Sequence, residues 1–291
     1  MNFSKTDNFV ITLKDRTLAL LQQELSYGSC IVNYLGGLSF ASDSSVDAQN
    51  EADPRSSEEE AVRGEMWREK ICKWLYEVID HFQYDREIVA ITLNFIDRYL
   101  SCYPYDSANE SLITATHMQL VALSALHIVL KIHYSRVNHV SIIMKLSRNQ
   151  FSSREFVAME QLILTKLSWK LSPPTSVNFL HHYMPFMAKG SPCANLKHHE
   201  IREIAQYLIE LSLCDYHFVR FTTKPSSVAL ASLLCAICIV FMRSPAESKR
   251  VTKILLENLI KHLGLSGTLN EIQHCKCRLE KIYKETVHMN K

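Results

Sequence analysis

Residues 86–100 read REIVAITLNFIDRYL, and their pattern decides the fold class. Two apolar stripes recur there at helical spacing and lie side by side: Ile88, Ile91, Phe95 and Tyr99 form one, and Val89, Leu93, Ile96 and Leu100 form the other. Such a wide apolar face predicts a helix that is almost enclosed by other helices.

The same periodicity dominates the chain from residue 64 to about residue 283, and alternating strand patterns are absent from the sequence. Further helices are predicted over 67–81, 112–132, 153–167, 200–214, 226–242 and 252–263. The fold class is therefore predicted to be all-α. Pro173 and Pro174 interrupt the pattern, because a helix cannot run through such a pair. The run VALSAL at 121–126 is echoed by VALASL at 228–233, so each is predicted to be the central helix of its own bundle.

Three parts follow from this pattern: an N-terminal segment over 1–63, a first bundle over 64–172 and a second bundle over 173–291. In the N-terminal segment, a short helix is predicted from the spacing of Phe9, Leu13, Leu18 and Leu21. The rest is rich in Ser, Asp and Gly and ends in the acidic cluster Glu58-Glu59-Glu60, which predicts a flexible tail or linker.

Composition sets the broad class. The chain has 291 residues, of which 47% are hydrophobic and 21% are charged, as is typical of a soluble globular protein. A net charge of only +2 argues against nucleic-acid or membrane-surface partners. The longest apolar run, 228–242, is too short to span a bilayer. No secretory signal is visible, so the nine cysteines are expected to be reduced, in the nucleus and cytoplasm.

The most specific motifs are WREKICKWLYEV at 67–78 and IDRYLS at 96–101. With Gln119-Leu120, Lys131 and Met159-Glu160 they resemble the cyclin box, and the spacing looks closest to D-type cyclins. The positions that match the family pattern are Arg68, Asp97, Leu120, Lys131 and Glu160. The resemblance continues into the second bundle. It implies two tandem five-helix cyclin-box bundles after an irregular N-terminal segment.

The resemblance also implies the function. The chain would be a regulatory subunit that binds and activates a cyclin-dependent protein serine/threonine kinase in cell-cycle control, with no catalysis and no cofactor of its own. A transcriptional-type cyclin and a cyclin-fold transcription factor remain as alternatives. A DNA-binding factor should show a basic face, and a helical enzyme should show a cluster of polar catalytic residues. The sequence shows neither feature.

Arg68 and Asp97 are interpreted as a structural pair, with Leu120 as a further box position. The planar guanidinium of arginine matches a carboxylate with two hydrogen bonds. Buried between helices, such a pair fixes their register, and the loss of one partner leaves a charge stranded.

Lys131 and Glu160 allow two interpretations. From the residues alone, an intramolecular ion pair at a helix junction is the ordinary one. In the family, the matching residues instead contact kinase backbone near its movable regulatory helix. Apolar neighbours would then pack on that helix, and the sequence offers Ile128, Ile132 and Leu164. Cyclins usually carry acidic residues just after the lysine region, whereas this chain has His133-Tyr134.

A second surface is implied by the same resemblance. In cyclins that recruit substrates or inhibitors, an apolar groove on the first box helix binds Arg-x-Leu segments. The matching residues here are Trp67, Ile71, Trp74, Glu77 and Gln119. Trp67 stands where Met is usual and Lys70 where an apolar residue is usual, and the lysine would place a positive charge beside the ligand's arginine. The alternative is that Trp74 only packs in the core.

Two further motifs are discounted. Cys235-x-x-Cys238, followed by His274, Cys275 and Cys277, has metal-like spacing. The first two cysteines lie in the most apolar predicted helix, where cysteine is a good small core residue, so no metal site is predicted. A Gly-x-Gly-x-x-Gly phosphate loop is also absent from the sequence.

Overall fold

The computed structural model describes residues 5–28, 55–102, 113–134, 139–188, 197–220, 223–264 and 269–289. Within these residues the chain consists of α-helices and their connections, without a β-strand. Two compact units are formed, one by residues 30–173 and the other by residues 1–29 together with 174–291. The predictions of an all-α fold and of two tandem helical bundles are confirmed.

Helix α1 spans Lys5–Gly28 and belongs to the second unit. The described helices of the first bundle are α2 Arg55–His81, α3 Glu87–Ser101, α4 Ala115–His133, α5 His139–Leu146 and α6 Ser153–Lys166. Helix α2 begins before position 64, where the sequence placed the start of the bundle. The acidic cluster Glu58-Glu59-Glu60, predicted to end a flexible linker, thus falls in the first turns of this helix.

Helix α4 is the centre of the first bundle. Residues 121–130 are all buried, and the small side chains of Ala122, Ser124 and Ala125 let neighbouring helices approach closely. The helix begins where the Thr114 hydroxyl accepts a hydrogen bond from the His117 amide at 3.1 Å. By length and composition α4 could cross a membrane, but 61% of its most apolar window is already buried inside the protein.

The described helices of the second bundle are α7 Ser176–Ala188, α8 His198–Cys214, the short α9 His217–Arg220, α10 Pro225–Val240, α11 Pro245–Leu263 and α12 Leu269–Met289. Helix α10 takes the central place that α4 has in the first bundle, with residues 226–237 buried. Helix α11 ends at Gly264, whose φ of 67° is left-handed backbone that glycine adopts without strain.

Helix α1 packs on the second bundle. Leu13, Leu18 and Leu21 lie against its apolar core, so the predicted apolar face is used there. The side chain of Phe9 lies outside the described residues. The Glu24 carboxylate accepts hydrogen bonds from the backbone amide and the hydroxyl of Ser226, at 2.7 and 2.6 Å. Part of the segment predicted as a flexible tail is therefore a 24-residue helix with its own core contacts. Residues 29–54 lie outside the described residues.

Candidate partner-binding site

A buried ion pair joins α2 to α3. Arg68 donates from Nε to Asp97 Oδ1 and from Nη2 to Asp97 Oδ2, both at 3.0 Å, and each residue is only 4% exposed. The structure therefore contains the predicted two-bond pair. Removing one partner of such a pair typically costs about 3–5 kcal/mol, because the other charge is left buried without compensation. Leu120, the third predicted box position, is half-buried on α4.

The next residue, Arg98, holds the end of α6. Its guanidinium donates hydrogen bonds to the carbonyl oxygens of Leu167 at 3.1 Å and Lys170 at 2.8 Å. Between these two carbonyls the chain passes through Ser168 and Trp169, whose φ angles of 51° and 58° are left-handed. Non-glycine residues adopt that region only when the surroundings stabilise it. Arg98 thus fixes the tight turn after α6 and, through that turn, the position of the helix.

Helix α6 carries Glu160, which bridges to two residues of α4. Its Oε2 accepts from Lys131 Nζ at 2.9 Å, and its Oε1 lies 2.5 Å from His127 Nδ1. His127 and Lys131 are one helical turn apart, so both face the same carboxylate. The isolated chain therefore contains the intramolecular ion pair between Lys131 and Glu160, the first of the two interpretations.

The electrostatics of this cluster keep Glu160 ionised. Burial is the largest influence and by itself raises the pKa of the carboxyl. The hydrogen bonds and charges of His127 and Lys131 together outweigh burial, so the pKa of Glu160 lies below its ordinary value. The Lys131 side chain is about half exposed, so its ammonium can also reach a partner.

Exposed apolar side chains lie near this cluster in sequence. Ile132 follows Lys131 and is 44% exposed. Val157 and Leu164 share a face of α6 with Glu160, at spacings of three and four residues. Val157 is 52% exposed, while Leu164 is half-buried. Ile128, which the sequence assigned to the kinase contact, is only 3% exposed. Ile128 packs inside the bundle and has almost no exposed surface, so in this structure it does not form part of the surface that a kinase would contact.

The end of α4 is fixed by Tyr134. Its hydroxyl accepts a hydrogen bond from the Asp85 amide at 2.9 Å, and its ring packs on Tyr84 with centroids 4.5 Å apart. His133 is exposed beside it. At the positions where the cyclin pattern usually has acidic residues, this chain presents an imidazole and a tyrosine that is tied to the α2–α3 connection.

A groove lies between α2, the start of α4 and the end of α5. Its cavity has a volume of about 430 Å³. Four of the five predicted docking residues line it, namely Trp67, Ile71, Trp74 and Gln119. Glu77, the fifth, is exposed on α2 one turn after Trp74 and is not among the lining residues. Trp74 is half-buried, so it combines a packing role with exposed surface at the groove.

Comparison with known families agrees with this architecture. A model of the cyclin N-terminal domain matches residues 41–172, and a model of the cyclin C-terminal domain matches residues 174–291. The chain belongs to the cyclin family. The matched regions adjoin at Pro173-Pro174, the pair at which the helical pattern of the sequence is interrupted.

This cyclin is 31% identical over 169 residues to the G2/mitotic-specific cyclin-B2 of Oryzias luzonensis, an alignment that covers 58% of this chain and 39% of that protein. It is 28% identical over 208 residues to Cyclin-O protein B of Xenopus laevis, covering 69% and 54%. A solved viral cyclin from herpesvirus saimiri superposes with a TM-score of 0.47 at 17% identity, covering 69% of this chain and 87% of that one. The alignments with the cyclin-B2 and Cyclin-O relatives thus cover less than two thirds of the length of those proteins. The D-type likeness stays a prediction.

The cysteines with metal-like spacing lie on α10 and α12. Burial raises the pKa of Cys235 to about 12 and that of Cys275 to about 12, so both are protonated at neutral pH, whereas metal ligands are thiolates. His274 instead lies 2.9 Å from His217, measured between their Nε2 atoms. Among the described residues, no group of three or more His, Cys, Asp or Glu side chains is arranged to hold a metal ion.

Three residues of this site were not predicted from the sequence: His127, Val157, and Arg98 in its role of fixing the end of α6. The signal for His127 was its place one turn before Lys131, which puts both on one face. The signal for Val157 was its place one turn before Glu160. Arg98 offered no local signal, because its partners are carbonyl oxygens about seventy residues away.

Proposed function

We propose that this cyclin binds and activates a cyclin-dependent protein serine/threonine kinase in cell-cycle control, and that it supplies no catalytic residue. The observation that carries the proposal is the Lys131–Glu160 pair, which His127 holds at the bundle surface with exposed Ile132 and Val157 nearby. Relatives named as G2/mitotic-specific cyclins support a cell-cycle role over the transcriptional alternative.

The mechanism follows from what a protein kinase requires. Phosphoryl transfer needs an ion pair between a strand lysine and a glutamate on the kinase's mobile helix. A cyclin that binds the arrangement with this pair formed more tightly than the other arrangement shifts the kinase population toward it. A shift from 1:99 to 99:1 requires about ten-thousand-fold tighter binding to the active arrangement.

The residues of this cyclin would divide that task. Lys131 offers ammonium donors, and Glu160 offers carboxylate acceptors to backbone groups near the mobile helix. Ile132, Val157 and Leu164 supply apolar surface against which the helix packs. Because His127 keeps its own bond to Glu160, the carboxylate stays oriented when Lys131 turns toward the kinase.

Reconstitution tests the proposal. The purified cyclin is mixed with each member of a panel of cyclin-dependent kinases, and complex formation and histone phosphorylation are measured. At least one kinase is expected to form a complex and gain activity. The cyclin alone, and the cyclin with a kinase lacking its strand lysine, are expected to phosphorylate nothing. Neither a complex nor activity with any kinase would refute the proposal.

We also propose that the groove beside Trp67 and Trp74 docks short peptide segments of substrates or inhibitors. Its partly exposed indoles and its cavity of about 430 Å³ support this role, since small-molecule pockets commonly enclose about 300–1,000 Å³ and a cavity of that size can hold a large side chain. The nucleus and cytoplasm are the compartments in which such partners would be met, and fractionation of cells expressing the tagged chain tests that placement.

A further inference from the structure

The groove combines an apolar floor with polar rims. Ile71 and Ala122 are buried at its base, while Trp67 and Trp74 are half-buried at its sides. Such a trough suits an aliphatic or aromatic anchor side chain, whose burial removes apolar surface from water. Thr116, Gln119 and Gln150 are exposed at the rim. An amide side chain both donates and accepts hydrogen bonds, so the rim can pair with an extended peptide backbone.

The charge of the groove comes from one residue. Among the described residues that line the cavity, Lys70 alone is charged. Its ammonium nitrogen lies 5.5 Å from the centroid of the Trp67 ring, within the range of a cation–π contact. The tryptophan therefore holds the ammonium group beside the cavity, where a bound peptide would meet it.

Among the residues that the structure describes, the acidic residues close to Lys70 on α2 do not pair with it. Glu69 is next to it in sequence but is paired with Lys73 at 2.6 Å, on another side of α2. Glu77 lies one turn beyond Trp74 and outside the lining residues. A peptide arginine placed near Lys70 would face a like charge in a partly desolvated site, whereas a peptide carboxylate would gain a charge-assisted hydrogen bond.

We propose that this groove selects peptide segments that combine an apolar anchor with an acidic residue, and that Lys70 is the residue that reads the acid. The proposal rests on the docking role proposed above and assigns its ligand class. It reverses the charge preference implied by the family resemblance, in which the segment carries arginine.

Fluorescence anisotropy with the full chain, without kinase, tests the proposal. Three labelled peptides of about ten residues share one leucine anchor and differ at a single position two residues before it, which is Glu, Gln or Arg. The Glu peptide is expected to bind about fivefold or more tightly than the Arg peptide, with the Gln peptide between them. Added salt should reduce the difference, since exposed charges are screened.

Variants of α2 locate the preference. Lys70→Ala should abolish the difference between the Glu and Arg peptides, and Lys70→Glu should invert it. Lys73→Ala, a matched change outside the cavity, should leave it unaltered. Trp74→Ala should weaken all three peptides. If the Gln peptide binds but the Arg peptide binds best, and does so through Glu77 as judged by Glu77→Gln, the acidic selectivity is overturned while docking stands. If no peptide binds, the docking role itself fails, and the selectivity fails with it.

Discussion

Asp97 in the first bundle and Glu24 on α1 beside the second bundle are equally buried, at 4% exposure, yet they meet different partners. Asp97 receives two hydrogen bonds from the guanidinium of Arg68. Glu24 receives two hydrogen bonds from uncharged donors, the amide and hydroxyl of Ser226 at the start of α10. One carboxylate is neutralised by a cation, and the other serves as a helix cap supplied by a different helix.

The difference follows from how the two central helices begin and end. Helix α4 is capped by its own Thr114 and carries Lys131 in its last turn, where this lysine pairs with Glu160 of α6. Helix α10 starts with Pro225 and has no side-chain cap of its own, so Glu24 takes that place. The first bundle thus completes its core helix internally and leaves a charged cluster at its surface. The second bundle uses α1 to complete its core helix, because Glu24 of α1 accepts the hydrogen bonds of Ser226 at the start of α10.

The largest expected effect is on the buried charge pair. Arg68→Ala should lower the free energy of unfolding by about 3–5 kcal/mol, since Asp97 would be left buried without its cation. Thermal denaturation followed by circular dichroism measures the loss. The matched control is Arg86→Ala, which removes a two-bond pair with Asp80 that is exposed and worth about 1 kcal/mol or less. Normal melting of Arg68→Ala with lost kinase binding would place Arg68 at the interface instead.

The next effect separates surface function from architecture at α4 and α6. Lys131→Ala and Glu160→Ala should each weaken kinase binding by about 2–5 kcal/mol, because truncating one partner of an interfacial charge contact leaves the other unpaired. Dissociation should be at least about tenfold faster, as about 1.4 kcal/mol is a factor of ten. Surface plasmon resonance against an activated kinase measures this off-rate.

Helix content must stay constant in both variants for that result to count. Lys145→Ala, an exposed lysine on α5, is the matched control and should bind as the unaltered chain does. If both single variants keep normal affinity and fold normally, Lys131 and Glu160 are only an intramolecular pair. The kinase contact would then have to lie on another face.

Prediction from sequence worked best where the resemblance to the cyclin box named the positions. The resemblance singled out Arg68 and Asp97, and the affinity of a guanidinium for a carboxylate explains why they pair. The groove beside Trp67 and Trp74 was also an implication of the resemblance. The groove's far side, with Leu146 and Gln150, was not foreseen because α5 is only eight residues long and gives little periodic signal. The docking of Glu24 on Ser226 joins residues about two hundred positions apart, and periodicity names no such partner.

A smaller effect is expected at the cap supplied by α1. Glu24→Ala should destabilise the second bundle by about 1–3 kcal/mol, because the buried Ser226 amide and hydroxyl lose their acceptor. Glu24→Gln keeps an acceptor and should cost less. Hydrogen exchange at the first amides of α10 measures the local change. Gln22→Ala, an exposed position on α1, should leave exchange unchanged. Equal protection in all variants would mean that α1 contributes only its leucines.

The smallest effect is a difference in pH dependence between Glu24 and Glu160. Burial is the largest influence on Glu24 and raises its pKa despite the hydrogen bonds from Ser226, whereas the bonds from His127 and Lys131 lower the pKa of Glu160. The ordinary glutamate value is about 4.3. Between that value and the raised pKa, the folded chain holds a proton at position 24 that the unfolded chain has lost, so this site's contribution to stability falls as pH rises. Between the lowered pKa and the ordinary value, the unfolded chain holds the extra proton at position 160, so that contribution rises with pH and is lost as pH falls.

Unfolding free energies of Glu24→Gln and Glu160→Gln, measured by urea denaturation from about pH 3 to about pH 8, should therefore depart from those of the unaltered chain with opposite slopes. Glu24→Gln should gain relative stability as pH rises above about 4.3, and Glu160→Gln should lose relative stability as pH rises toward it. Slopes of the same sign would show that the two carboxylates meet equivalent surroundings, and the contrast between a cation-paired and a cap-forming glutamate would fail.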